Sequence, residues 1–180
     1  DSQRLVITRL GITFRGFGLG SVPMPLDNLR GLYQQVILDR YKKPHHRGVT
    51  DPIHRQQRGH NPSCGDTIDL TVQLDWDQDR IVDVKFEGEG CAIALASADL
   101  MADAVRGLTI AEALQVIQDF QRMMHGEGEF PKEKRALNVM KGVAQFPVRI
   151  KCATLPWHTL KYALEQQAAT QGFVSNEDQA

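Results

Sequence analysis

The sequence predicts an α+β domain: a small, mostly antiparallel sheet covered on one face by helices. Three observations point there. Ile68, Leu70, Val72 and Leu74 alternate with polar residues, as do Val82, Val84 and Phe86, which is the period of half-buried strands. Apolar residues recur at helical spacing in segments on both sides of that pair. The three cysteines, Cys64, Cys91 and Cys152, fall in loops or at helix starts and not in an apolar stripe. A loop before a hairpin, a loop after it and a helix start can converge at one end of a sheet, so a metal site is expected at one exposed end.

The elements follow in order. Residues 1–28 are basic and glycine-containing, with no lasting periodicity beyond a short strand around Leu5–Thr8, and read as an appended N-terminal extension. From Asp27, the residues Leu29, Leu32, Tyr33, Val36, Ile37 and Tyr41 mark a helix that Pro44 closes. A long polar loop, KKPHHRGVTDPIHRQQRGHNPSCGD, leads to the hairpin, whose turn is Asp75–Asp79. GEGCAIALASADLMADAVRG is a glycine-hinged loop entering a small-residue helix. Thr109 with Glu112 forms a capping box that opens a helix to about His125. A charged loop and a short helix over Arg135–Gln145 follow, and Pro147 is expected to break it. Thr154, with Pro156 in the first turn, is expected to open the last helix, to about Gln167. The domain is thus placed at residues 29–170, with 171–180 as a tail.

Bulk properties narrow the function classes. The 180 residues fit one domain, and a formal charge of -1 gives no reason to expect nucleic acid or an anionic membrane as partner. No apolar run reaches the roughly 18 residues that span a bilayer, and the N-terminal stretch lacks a signal-peptide core, so a cytoplasmic location is expected. An odd, small cysteine count argues for reduced, metal-binding or catalytic thiols over a disulfide framework.

Cys64 and Asp66 lie in NPSCGD, where Gly65 permits a tight turn that aims both side chains at one point. Alone, this is equally a buried cysteine followed by an Asx turn. Cys91 follows Gly88 and Gly90 and opens a helix, where backbone N–H groups favour the thiolate. Cys152 has Arg149 and Lys151 beside it, which also favour the thiolate. For each the plain alternative is packing, but the joint placement favours metal or sulfur chemistry. Three thiolates and one carboxylate suit one tetrahedral zinc or one edge of an iron–sulfur cluster. As the one hard oxygen donor, Asp66 is expected to be the most exchangeable ligand. His45 and His46 read as surface residues of a basic loop, His60 as a group outside the ligand shell, and His125 and His158 as structural. Trp76 and Trp157 read as turn and core residues.

NPSCGD, GEGCAIALAS and RIKCATLPW, in this order, resemble the iron–sulfur cluster assembly scaffolds of the IscU and NifU N-terminal family, and YKKPHHRG resembles that family's segment after the first helix. The resemblance covers about Leu29–Leu164 and implies a SufE/NifU-like fold. A long stretch between Cys91 and Cys152, explained by an insertion over Arg122–Lys141, and Lys151 where IscU-type scaffolds carry histidine, are similar to the SufU branch. That branch implies zinc held by Cys64, Asp66, Cys91 and Cys152, with Cys64 accepting persulfide sulfur from a pyridoxal-phosphate cysteine desulfurase of the SufS type. It also implies a role for Arg149 in the sulfur-transfer state and delivery to a downstream iron–sulfur scaffold or apo-protein. The alternative is a scaffold holding iron or a transient [2Fe–2S] cluster on Cys64, Cys91 and Cys152. The family's chaperone-recognition pattern is reduced to Phe146-Pro147-Val148-Arg149.

Overall fold

The computed structural model describes residues 26–166 and 173–175; the strand expected at Leu5–Thr8 lies outside the described residues. Among the described residues there are four helices and four strands: α1 (Leu26–Lys42), β1 (Arg55–Asn61), β2 (Asp66–Asp75), β3 (Arg80–Glu89), α2 (Ala92–Val105), α3 (Ile110–Met124), α4 (Pro147–Glu165) and β4 (Phe173–Ser175), with a 3-10 segment at Lys132–Val143. The sheet order is β3-β2-β1-β4; β3-β2 and β2-β1 are antiparallel, and β4 runs parallel to β1. The α+β expectation holds. No helix among the described residues is long and apolar enough to cross a membrane.

The hairpin forms where alternation placed it. Ile68, Leu70, Val72 and Leu74 are buried on one face of β2. On β3 a register shift at Gln73/Leu74 turns Ile81 inward and leaves Val82 exposed, while Val84 and Phe86 stay buried. A bulge of this kind displaces the inward set by one position over part of a strand.

β1 forms within the segment expected to be a polar loop. Its inward positions are Arg55, Gln57, Gly59 and Asn61, so the buried face carries no apolar signal. Gly59 explains why this strand can be buried: a Cβ there would lie 2.0 Å from Thr159 Oγ1 and 3.2 Å from Leu155 Cδ1, so α4 presses directly on bare backbone.

α4 begins at Pro147 rather than Thr154, and Cys152 lies in its second turn. Pro147 occupies a first-turn position, where its missing N–H costs nothing and its fixed φ suits a helix. Thr154 is interior, its hydroxyl donating to the Ile150 carbonyl at 2.9 Å. The helix expected over Arg135–Gln145 is the 3-10 segment, with Lys134 outside helical geometry. The capping box of α3 is present as read, Thr109 Oγ1 accepting from Glu112 N–H and Glu112 accepting from Thr109 N–H. On α1, Tyr33, Val36 and Ile37 pack inward while Leu32 and Tyr41 are exposed. Phe173–Ser175 join the sheet from the segment assigned to the tail.

The core joins α2, α4 and the sheet. Trp157 stacks on Phe120, centroids 4.1 Å apart. Trp157 Nε1 donates to Ser97 Oγ at 3.0 Å, and Ser97 donates to the Ala153 carbonyl at 2.6 Å. Buried Ala94, Ala96, Ala98 and Ala102 keep α2 slim enough for α4 to approach. Trp76, in contrast, sits at the hairpin turn with the Arg55 guanidinium 4.7 Å above its ring.

Candidate metal centre

β1 ends at Asn61 and β2 begins at Asp66, the terminal pair of their register. The four residues between them form the turn that carries Cys64. Gly65 takes φ +70 there and donates its N–H to the Asn61 carbonyl at 2.9 Å. Cys64 is thereby exposed, whereas Asp66 is fully buried at the strand start.

β3 ends against the same point. Gly88 has φ +139, and a Cβ there would lie 2.0 Å from the Thr67 carbonyl oxygen. A Cβ on Gly90 would lie 2.5 Å from Asp66 Oδ1. The two glycines let the chain run close over Asp66, so that Cys91 N–H donates to Asp66 Oδ1 at 2.8 Å. Cys91 is the N-cap of α2, its sulfur accepting from Ala94 N–H at 3.5 Å.

α4 brings Cys152 in from the other side, 1% exposed, with its sulfur 3.0 Å from that of Cys64. The donor atoms of Cys64, Asp66 and Cys152 all lie within 4.8 Å of one another. Metal–sulfur bonds of about 2.3 Å keep two ligands of one ion within roughly 4–5 Å, so this trio fits a single metal ion. The Cys91 sulfur meets that of Cys152 but lies outside the tight trio. The donor chemistry, three thiols and a carboxylate, fits zinc or an iron–sulfur edge.

The two helix-borne cysteines shift each other in opposite directions. Cys91 is lowered to about 7, chiefly by the bond it accepts from Cys152 and further by the α2 amides, against the cost of burial. Cys152 is pushed up, first by Cys91, then by burial and by Cys64. The thiolate expected at Cys152 from Arg149 and Lys151 is therefore not supplied by those cations. Cys152 points into the domain, while Arg149 and Lys151 are exposed on other faces of α4. Arg149 lines a groove with Phe146, Ala92 and Ile93, and Lys151 one with Gln121, His125 and His158.

Of the basic-loop histidines, His45 is exposed as expected and His46 is not. His46 is buried and pairs with Asp103 through Nε2. Fully buried Asp99 accepts the backbone N–H groups of His45 and His46 at 2.7 and 2.8 Å, and Arg40 Nη1 at 2.8 Å. So anchored, the segment pairs with the edge of β3: Gly48 N–H donates to the Phe86 carbonyl, and Phe86 N–H to that of His46. Arg47 then reaches the Gly88 carbonyl at 2.8 Å, at the root of the Cys91 loop.

Residues 32–153 match the NifU-like N terminal domain family. The chain belongs to that family. It is 44% identical over 149 residues to the iron-sulfur cluster assembly scaffold protein IscU of Streptococcus pyogenes serotype M1, covering 82% of this chain and 92% of the relative. It is also 44% identical over 142 residues to the zinc-dependent sulfurtransferase SufU of Bacillus subtilis, covering 78% and 94%. A crystal structure of a putative iron-sulfur cluster assembly scaffold protein for the SUF system from Fervidobacterium islandicum superposes with a TM-score of 0.66 at 38% identity, over 76% of this chain and 98% of that one.

Two groups in this NifU-like domain escaped the sequence reading. Asn61 stands at the head of NPSCGD yet is fully buried between Asp66 and Cys152. Asp99 lies in an alanine-rich helix and anchors the histidine loop. A carboxylate within a run of small and apolar residues was the available signal for Asp99; for Asn61, in a wholly polar segment, there was none.

Proposed function

We propose that this chain is a zinc-holding sulfur acceptor for iron–sulfur cluster assembly. It takes persulfide sulfur from a pyridoxal-phosphate cysteine desulfurase of the SufS type and passes it to a downstream scaffold or apo-protein. The observation that carries this reading is the unequal exposure of one ligand cluster: Cys64 is exposed on a turn, while Cys152 and Asp66 are buried. Cys64, Asp66, Cys91 and Cys152 would hold the ion. When bound, zinc keeps the thiols deprotonated and their spacing fixed.

The chain's own residues then divide the work. Cys91, N-cap of α2, and Cys152, inside α4, are tied to rigid elements and retain the site. Cys64 is the sulfur that a partner can reach. Its thiolate attacks the terminal sulfur of the partner's persulfide. An S–S bond forms at Cys64, the partner's S–S bond breaks, and the partner leaves as a thiolate that can take up a proton, with no net oxidation or reduction. Arg149, exposed in a groove that Ala92 and Ile93 of α2 also line, supplies the positive charge for an anionic persulfide or the partner that carries it.

The second reading, a scaffold for a transient [2Fe–2S] cluster or iron, is favoured by the equal identity to the IscU relative. Anaerobic incubation with a SufS-type desulfurase and cysteine, followed by alkylation and mass mapping, separates the two. Extra sulfur on Cys64 with zinc retained supports transfer. Sulfur on Cys152 with Cys64 unmodified contradicts it, and stoichiometric cluster formation favours the scaffold.

A further inference from the structure

Asn61 touches Asp66, Cys152 and the Cys64 turn without being one of the metal-ligating groups. It is fully buried at the end of β1. Its amide Nδ2 donates to Asp66 Oδ2 at 3.3 Å and to Cys152 Sγ at 3.6 Å. Its amide Oδ1 accepts Ser63 N–H at 3.2 Å, in the turn that carries Cys64. Its backbone carbonyl accepts Gly65 N–H on the other side of Cys64. One side chain thus uses both amide hydrogens and its oxygen on the carboxylate, the buried sulfur and the exposed turn. Groups that hold ligands in this way fix their orientation and basicity, and their loss typically costs about 10–100-fold in metal affinity.

We propose that Asn61 is a positioning residue that ties Asp66, Cys152 and the Cys64 turn into one unit. Through it, the opening of the Cys64 turn is coupled to the hold on Asp66 and Cys152. This rests on the metal-site reading above. The amide hydrogens are what matter: they occupy one lone pair of Asp66 Oδ2 and stabilise the charge on the Cys152 sulfur. A residue serving only to shape the turn would need just the oxygen facing Ser63.

Asn61→Asp separates the two roles. It keeps the size and the oxygen for Ser63, and aspartate serves such turns as well as asparagine. It replaces both donors by an acceptor. Zinc release to a chelator is measured on the zinc-loaded protein, together with the thiolate-to-cobalt charge-transfer band of the cobalt(II)-substituted form. The expected results are release about tenfold faster or more, and a band moved to lower energy because the sulfur has lost its N–H donor. Release that is unchanged or slower, with an unmoved band, overturns the inference. Should the buried aspartate prevent folding, Asn61→Ala carries the same readouts. A lowered melting temperature with the wild-type cobalt band would leave Asn61 as a turn residue and overturn the proposal. A wild-type protein that binds neither metal would sink the metal-site reading itself, which is a distinguishable failure.

Discussion

At the scale of the residue, the site depends on what glycine leaves out as much as on what cysteine supplies. Gly90 leaves room for Asp66, and a methyl group there would lie 2.5 Å from Oδ1 and 3.0 Å from the Asp66 Cβ. Gly90→Ala should therefore push the loop off Asp66 and carry the Cys91 sulfur out of place. The expected outcome is a loss of zinc affinity of about tenfold, as for loss of an orienting partner, read by competition with a chelator. Asp66 itself is anchored, not mobile, but both its oxygens already accept hydrogen bonds. That makes it a weak donor in a fixed place. Asp66→Ala is expected to retain metal while slowing sulfur transfer; outright metal loss with normal transfer would contradict this. The candidate ligands stood out in the sequence because Cys64, Cys91 and Cys152 are the chain's only cysteines, and the fold gathers Cys64 and Cys152 with Asp66. Asn61 was not, because an asparagine before a proline and serine looks like any turn residue until its burial is known.

Among the elements, legibility followed the chemistry of the buried face. β2 and β3 bury aliphatic residues, so alternation revealed them. β1 buries arginine, glutamine, glycine and asparagine, so nothing did. α4 begins about two turns ahead of the expected Thr154, because Pro147, expected to break a helix, starts one and carries Cys152 inside. The packing of β1 on α4 has a sharp test. Gly59→Ala drives a Cβ into the Thr159 hydroxyl, and overpacking of this kind costs about 1–3 kcal/mol, measurable by denaturant unfolding. α1 and α2 are joined through Asp99, whose side chain is wholly buried against Arg40 and two backbone amides. Asp99→Ala leaves the His45 and His46 amides without an acceptor, while Arg40 keeps Asp103, and should cost about 1–3 kcal/mol. It should also loosen the segment that holds Gly88 through Arg47.

For the molecule as a whole, the fold class and the end of the sheet that carries the site were legible, since a hairpin flanked by helices leaves few arrangements. The covering of the β3 edge by the histidine loop was not, because it depends on Asp99, far along the chain. The global stability carries a pH signature from one group outside the site. His158 is lowered to about 4, first by burial and then by the Lys161 charge. The unfolded chain therefore binds more protons between about 6.5 and 4, so stability is full above that window and falls as pH drops through it. In His158→Gln this part of the slope should disappear from the pH dependence of thermal unfolding.

The central claim is that three sulfurs and one carboxylate oxygen share one ion, with Cys91 joining the trio that the fold already gathers. Zinc absorption-edge spectroscopy on protein purified without oxygen counts those donors directly. The account predicts one zinc per chain with three sulfur neighbours at about 2.3 Å and one oxygen neighbour at about 2.0 Å. A shell with two sulfurs would remove Cys91 from the ligand set, and a sulfur-free shell would contradict the site altogether.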